Sequence, residues 1–303
     1  MEGLGLFNDI GKKAKDLLTK GYTCDQAVTL SSATASGVSL TSTAVKKGGH
    51  YHLDMNSEYK NEYMHIGVKV DVESNISATF TVLKVLPSTR LAISFMLPDY
   101  NARKISTTFT VSEALPYRNL VFSVKLPDDP LKLKLRYFHE NASFATEVRM
   151  KPSPAVKFSG AVGAQGVAFG AECRYDTSRG EFRKYKAAIG VAKKHYHAAL
   201  VLSDKGDTIK VYSLYHFDKK QKTSAVAELT RKFSTNQNTL TIGYLYTVDA
   251  QTTVKARFSS AGRLATLLHH KINQKSHLTI SGEFDTKALD RHPKIGLALV
   301  LNP

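Results

Sequence analysis

Leu131–Tyr137 reads LKLKLRY. Leu131, Leu133, Leu135 and Tyr137 fall on one side of a residue-by-residue alternation, and Lys132, Lys134 and Arg136 fall on the other. A period of two belongs to a strand, here with one apolar and one cationic face. The pattern returns along the chain. Met64, Ile66, Val68 and Val70 oppose His65, Gly67 and Lys69, and Val254, Ala256 and Phe258 oppose Lys255 and Arg257. Leu278, Ile280 and Phe284 likewise oppose His277, Thr279, Ser281 and Glu283. Turn signals such as Lys47-Gly48-Gly49, Asp204-Lys205-Gly206-Asp207 and Ala261-Gly262 separate the runs. Between them lie about 21 strand candidates, the first near Ala27–Ala35 and the last near Lys294–Leu301.

Alternation alone also suits a soluble sandwich with one dry core. Two features favour another architecture. Lys, Arg, Glu and Asp recur on the polar faces, and the opposing faces together carry more apolar surface than two stacked sheets of ordinary size require. A transmembrane β-barrel accounts for both, with one face toward lipid and the other toward a wet lumen. Tyr and Phe, 14 each, would supply interfacial girdles, although Trp is absent. No apolar run reaches the roughly 18 residues of a transmembrane helix. Two cysteines, Cys24 and Cys173, are too few for a disulfide framework and lack metal-site spacing.

One helix stands apart from the strands. In Leu6–Tyr22, LFNDIGKKAKDLLTKGY, the residues Leu6, Phe7, Ile10, Ala14, Leu17 and Leu18 share a face opposite Asp9, Lys12, Lys15, Asp16, Thr19 and Lys20. The spacing predicts an amphipathic helix of about four turns closed by Gly21. Gly11 costs such a helix roughly 1 kcal/mol against alanine, so a bend or shortened first turn is expected there. The segment has lysines without arginines, and Glu2, Asp9 and Asp16 besides. It reads as a permanent part of the mature protein, neither a secretory signal nor a presequence. Its stripe of Leu6, Ile10, Ala14, Leu17 and Leu18 needs an apolar partner and is expected to lie against the inside of the wall.

Ile76–Asp99, ISATFTVLKVLPSTRLAISFMLPD, is repeated 29 residues later as Ile105–Asp128, ISTTFTVSEALPYRNLVFSVKLPD, with 13 of 24 positions identical. Each copy reads as two strands joined across Pro87 or Pro116. Duplicating a whole hairpin preserves the in/out register of a sheet, so a barrel can accept it.

The net charge of +16 implies an acidic partner or a flux of anions. Lys12, Lys15 and Lys20 on the helix, with Arg90, Lys132, Lys134, Arg136, Lys255 and Arg257 on strands, are the candidates to line a passage. Enzymatic constellations are missing. His195 and His197 share a strand face, but no carboxylate or thiol joins them for a metal, and His269-His270 point to opposite faces. Gly160, Gly163 and Gly166 resemble a phosphate loop but lie at a strand-to-strand turn without a following helix. A nucleic-acid-binding β protein would need its lysines in one accessible patch with stacking aromatics.

Beyond this reading, the chain resembles the plant-type voltage-dependent anion channels, the eukaryotic porins. The similarity is carried by GLFNDIGKKAKDLLTKGY at Gly5–Tyr22, FSTNQNTLTIG at Phe233–Gly243, TTVKARFSSAGRLATLLHHK at Thr252–Lys271 and LTISGEFDTKALDRHPKIGLALVL at Leu278–Leu301. Lys294, Gly296, Leu299 and Leu301 resemble the sorting signal of mitochondrial barrels. The resemblance implies an all-β transmembrane antiparallel barrel over 23–303, with a pore helix at 1–22. It also implies a voltage-gated, weakly anion-selective channel for small anions and phosphorylated metabolites in the lipid of the mitochondrial outer membrane, with no cofactor. Self-association and cytosolic proteins docking on the rim are expected, and specific nucleic acid is not. A protein-conducting barrel of the same superfamily is the alternative. The family has about 19 strands, and the duplicated hairpin (76–104 and 105–133) raises the expectation to about 21. The Gly-Leu-Lys tripeptide common in the family is replaced by Ser88-Thr89-Arg90 and Tyr117-Arg118-Asn119, so no nucleotide contact of that tripeptide is carried over, while Arg90 keeps its positive charge.

Overall fold

The computed structural model describes residues 5–72, 76–83, 89–97, 106–113, 118–123, 131–150, 154–288 and 293–302, with side chains outside 81–135 and 150. The strands are β1 (Gln26–Ala33), β2 (Val38–Lys47), β3 (His50–Lys60), β4 (Met64–Asp71), β5 (Ile76–Leu83), β6 (Thr89–Leu97) and β7 (Ser106–Glu113). Next come β8 (Arg118–Ser123), β9 (Leu131–Phe138), β10 (Ala142–Met150), β11 (Ala155–Ala164), β12 (Val167–Asp176), β13 (Glu181–Ala192) and β14 (Tyr196–Ser203). The last are β15 (Thr208–His216), β16 (Thr223–Lys232), β17 (Gln237–Thr247), β18 (Thr252–Ser259), β19 (Arg263–Lys271), β20 (His277–Asp285) and β21 (Lys294–Leu301).

All belong to one sheet. Successive strands pair antiparallel from β1 to β7 and from β8 to β21. The first and last strands pair parallel, Gln26 opposite Leu297 through Leu30 opposite Leu301. Both copies of the repeat supply strands: β5 pairs with β6, β6 with β7, and β8 with β9.

Side-chain period fixes the two faces. Leu30, Phe169 and Ile242, each 51 % exposed, and Phe144, Phe158 and Phe258 stand on one face. Ser143, Ala161, Tyr212, Leu214 and Val226 are buried on the other. Tyr51, Tyr63, Phe182, Phe217 and Phe233 cluster at strand ends on the exposed apolar side, the place of an aromatic girdle. No helix among the described residues is long and apolar enough to cross a membrane, and the strands are the segments built to do so.

The expected four-turn helix is shorter and broken. A 3-10 turn at Phe7–Asp9 is followed by α1 (Lys12–Thr19), with Gly11 between them at φ 76°. That left-handed backbone favours glycine, so the chain redirects there instead of continuing one helix. Gly21, also left-handed at φ 93°, ends the segment as expected. The only tight side-chain cluster among the described residues joins Ala14, Leu17 and Leu18 to Ala199, Tyr212, Leu214 and Val226 of β14–β16, with Ile10, Val201 and Leu245 packed against it. Burying each leucine contributes roughly 2 kcal/mol over leaving it exposed.

Candidate functional site

The N-terminal segment wraps the inner face, the one that carries α1, crossing strand after strand. Its start is tied where the Ser143 hydroxyl of β10 donates to the Gly5 carbonyl at 2.8 Å. Phe7 then sits over Gly170 of β12 and Ile10 over Gly190 of β13: a Cβ at Gly170 would lie 2.8 Å from Phe7, and one at Gly190 would lie 2.8 Å from Ile10. Leu18 meets Gly243 of β17 in the same way, at 2.7 Å. Small residues on the wall therefore form the groove that receives the apolar stripe. Of the expected packing residues, Ala14, Leu17 and Leu18 are buried, Ile10 is half-buried, and Leu6 is half-buried at the edge. Phe7 is as buried as they are and anchors the 3-10 turn.

Polar contacts fix the far end. The Arg257 guanidinium on β18 donates to the Leu18 carbonyl at 2.8 Å, pairs with Glu283 of β20 at 3.1 Å and lies 4.5 Å from the centre of the Tyr22 ring. The Leu18 carbonyl is among the last of the helix, which lack intrahelical donors, and a cation is favoured at that negative end. Arg257 lies on the face that carries the helix, and its charge is engaged in holding the helix and balanced by Glu283. Burial pushes the Tyr22 phenol up to about 12, against the opposing pull of Arg257, so its ring stays neutral beside the guanidinium. Further on, the Ser281 hydroxyl donates to the Thr23 carbonyl. A side chain at Gly296 of β21 would run into that same carbonyl, so the linker can cross β21 only over glycine.

The inner face is charged, and its acids are largely matched. Glu172 meets Lys157 at 2.9 Å and Lys186 at 3.7 Å, Glu228 meets Lys210 at 3.4 Å, and Asp54 meets Lys69 at 2.9 Å. Lys12 is paired with Asp9 at 3.2 Å across the exposed helix surface. Lys15 and Lys20 are exposed, and among the described residues no ion pair engages them or Arg136. Arg136 shares a pocket of the inner face with Glu147, Lys157 and Ser159. Lys255, on β18, is half-buried. The side chains of Arg90, Lys132 and Lys134 lie outside the described residues; their backbones belong to β6 and β9. Lys294, Gly296, Leu299 and Leu301 all lie on β21, beside the parallel seam.

Other motifs resolve differently. His195 and His197 are joined by His216 of β15, whose ring is 5.6 Å from His197, yet no metal-competent group of three ligands exists among the described residues. Gly160 and Gly163 lie within β11 and only Gly166 in the turn, so the expected turn position holds for one of the three. Sequence reading passed over Gly170, Gly190 and Gly243 because a small residue has no weight in a hydrophobic period. Lys13, which lines a cavity together with His197, was missed because it falls between the two helix faces.

A sheet with an apolar outer face, a charged inner face and an amphipathic helix lying on that inner face defines a membrane-spanning β protein with a wet interior. The eukaryotic porin family model matches the chain over residues 3–110 and 100–296, two stretches that overlap at the junction of the sequence repeat. The chain is 59 % identical over 303 residues to mitochondrial outer membrane protein porin 5 of Oryza sativa subsp. japonica, covering 100 % of this chain and 99 % of the relative. It is 42 % identical over 302 residues to mitochondrial outer membrane protein porin 2 of Arabidopsis thaliana, with 100 % and 99 % coverage. It is also 38 % identical over 304 residues to the mitochondrial outer membrane porin of 36 kDa of Solanum tuberosum, with 100 % coverage of both. The chain belongs to the eukaryotic porin family, a family of channels and not of enzymes.

Proposed function

We propose that the 21 described strands close into one antiparallel barrel through the β1–β21 seam, with both copies of the repeated hairpin in its wall. On this reading residues 23–303 form the wall, 1–22 the inner segment, and the protein is a voltage-gated, weakly anion-selective diffusion channel of the mitochondrial outer membrane. The observation that carries it is the pairing of inner-face acids with wall lysines, which leaves Lys13, Lys15, Lys20 and Arg136 among the surplus charge facing the passage. A surplus of one sign in a confined wet space concentrates the opposite ion, here small anions and phosphorylated metabolites. The helix carries part of that charge and is held by a few contacts, which makes its movement the gating reading.

The exposed apolar outer face is the lipid contact and the surface by which copies would associate, and the strand ends are where cytosolic proteins would dock. Lys294, Gly296, Leu299 and Leu301 are the reading for membrane sorting. The selectivity test is a reversal potential across a planar bilayer under a salt gradient. The native protein gives the anion-selective sign, and Lys12→Glu with Lys20→Glu moves it toward cations. A cation-selective native channel overturns the charge placement.

A further inference from the structure

Between the first half of the inner segment and strands β12–β15 lies a cavity of about 190 Å³. Its walls are mostly apolar: Leu6 and Ile10 from the segment, Val191 and Ala199 from the sheet. One side is cationic. Lys13 lines the cavity together with His197, whose ring lies 5.6 Å from that of His216, a buried ring whose Nδ1 lies 2.7 Å from the Ser224 hydroxyl. The acid on the rim, Asp9, is already engaged by Lys12 at 3.2 Å and by the Leu6 amide at 2.8 Å. The cavity therefore offers an apolar volume and one unmatched positive end.

We propose that this cavity binds a small monocarboxylate with an apolar body, its carboxylate on Lys13 and its body between Ile10 and the Val191–Ala199 wall. Size limits the ligand. An apolar cavity of about 150 Å³ accepts benzene, so this one holds roughly six to ten heavy atoms, the range of an aromatic or short acyl acid. Charge selects among ligands of that size: a cation meets Lys13, and a phosphate dianion would bring more charge than one ammonium matches into a mostly apolar cavity. A neutral body of the same shape gains burial but not the ammonium. Because the site is shared by helix and wall, an occupant bridges the two. The binding itself does not depend on how the channel gates.

The test uses the full-length protein refolded in detergent micelles, with 4-fluorobenzoate as the probe and fluorine line broadening titrated against empty micelles. Native protein broadens the line saturably. Lys13→Met, an exposed position that leaves the helix stripe intact, weakens binding at least about tenfold, the loss expected for one charge-assisted contact. Ala168→Leu, which fills the cavity from β12, weakens it as well, whereas Lys15→Met on the far side of the helix leaves it unchanged. Equal broadening in native and Lys13→Met protein, equal broadening by 4-fluorobenzyl alcohol, or no saturable broadening overturns the proposal.

Discussion

Replacing Arg257 with alanine tests whether the helix is a held and releasable element. The guanidinium makes a 2.8 Å bond to the Leu18 carbonyl, a 3.1 Å bond to Glu283 and a stacking contact on Tyr22. A charge-assisted hydrogen bond contributes about 1.5–3 kcal/mol and an exposed cation–π contact about 0.5–1 kcal/mol. Arg257 and Glu283 are each about one-quarter exposed, so water competes and the lower end applies. A docking loss of about 2 kcal/mol is roughly a 30-fold shift toward the undocked helix. In the stretch from Phe7 to Lys20, Lys12, Lys13, Lys15 and Lys20 outweigh Asp9 and Asp16 by a net charge of +2. One charge crossing the whole membrane field is worth about 2.3 kcal/mol per 100 mV. If closure undocks this segment across the whole field, the gating midpoint of Arg257→Ala moves toward zero voltage by about 40 mV. Single-channel recording of the refolded variant measures it, with Arg257→Lys expected between the two. A midpoint within about 5 mV of the native value, in a variant with native conductance, refutes the assignment of Arg257 as the helix latch.

Gly243→Val places methyl groups where Leu18 and Val226 already sit, 2.7 Å and 2.9 Å from the new Cβ. It should cost about 1–3 kcal/mol of docking and speed tryptic cleavage at Lys12 and Lys15 while the sheet remains folded. Asp207, in the turn before β15, accepts bonds of 2.7 Å from both the amide and the hydroxyl of Ser234, which hold its carboxyl below the usual range. A depressed folded pKa means stability present above the unfolded value and lost as pH falls through the folded one. The melting difference between native protein and Asp207→Asn should therefore be constant above the ordinary carboxylate range, about 4, and shrink as pH falls through the depressed folded value; a difference unchanged by acidification counts against the clasp. Deleting 105–133 should leave a folded 19-stranded channel about a tenth narrower, with the helix unchanged in width, and so lower single-channel conductance by roughly a quarter; unchanged conductance removes the second hairpin from the wall.

How much of this was legible in the sequence depends on whether a feature has a period. Leu240, Ile242, Tyr244 and Tyr246 are exposed along β17 while Gly243 is buried between them. The outer face is thus apolar at every second position, and lipid contact writes itself into the sequence. The inner face obeys no such rule, because it must be polar where it meets water and small where it meets the helix. Gly170, Gly190, Ala199 and Gly243 are separated by long stretches of chain and become one groove only once the registers of β12 to β17 are set. The helix stripe itself was readable from Leu6 to Leu18, but its break was visible only as the cost of Gly11. Arg257 shows the same division: its inward direction follows from alternation with Ala256 and Phe258, whereas its contact with Leu18 spans 239 residues of sequence. Local pattern therefore assigns which face a charge occupies, and only the full set of strand registers assigns whether that charge is free to meet an ion or is committed to a backbone carbonyl. That distinction is why surplus charge is ascribed to cations such as Lys15, Lys20 and Arg136, which no ion pair engages among the described residues, and not to Arg257.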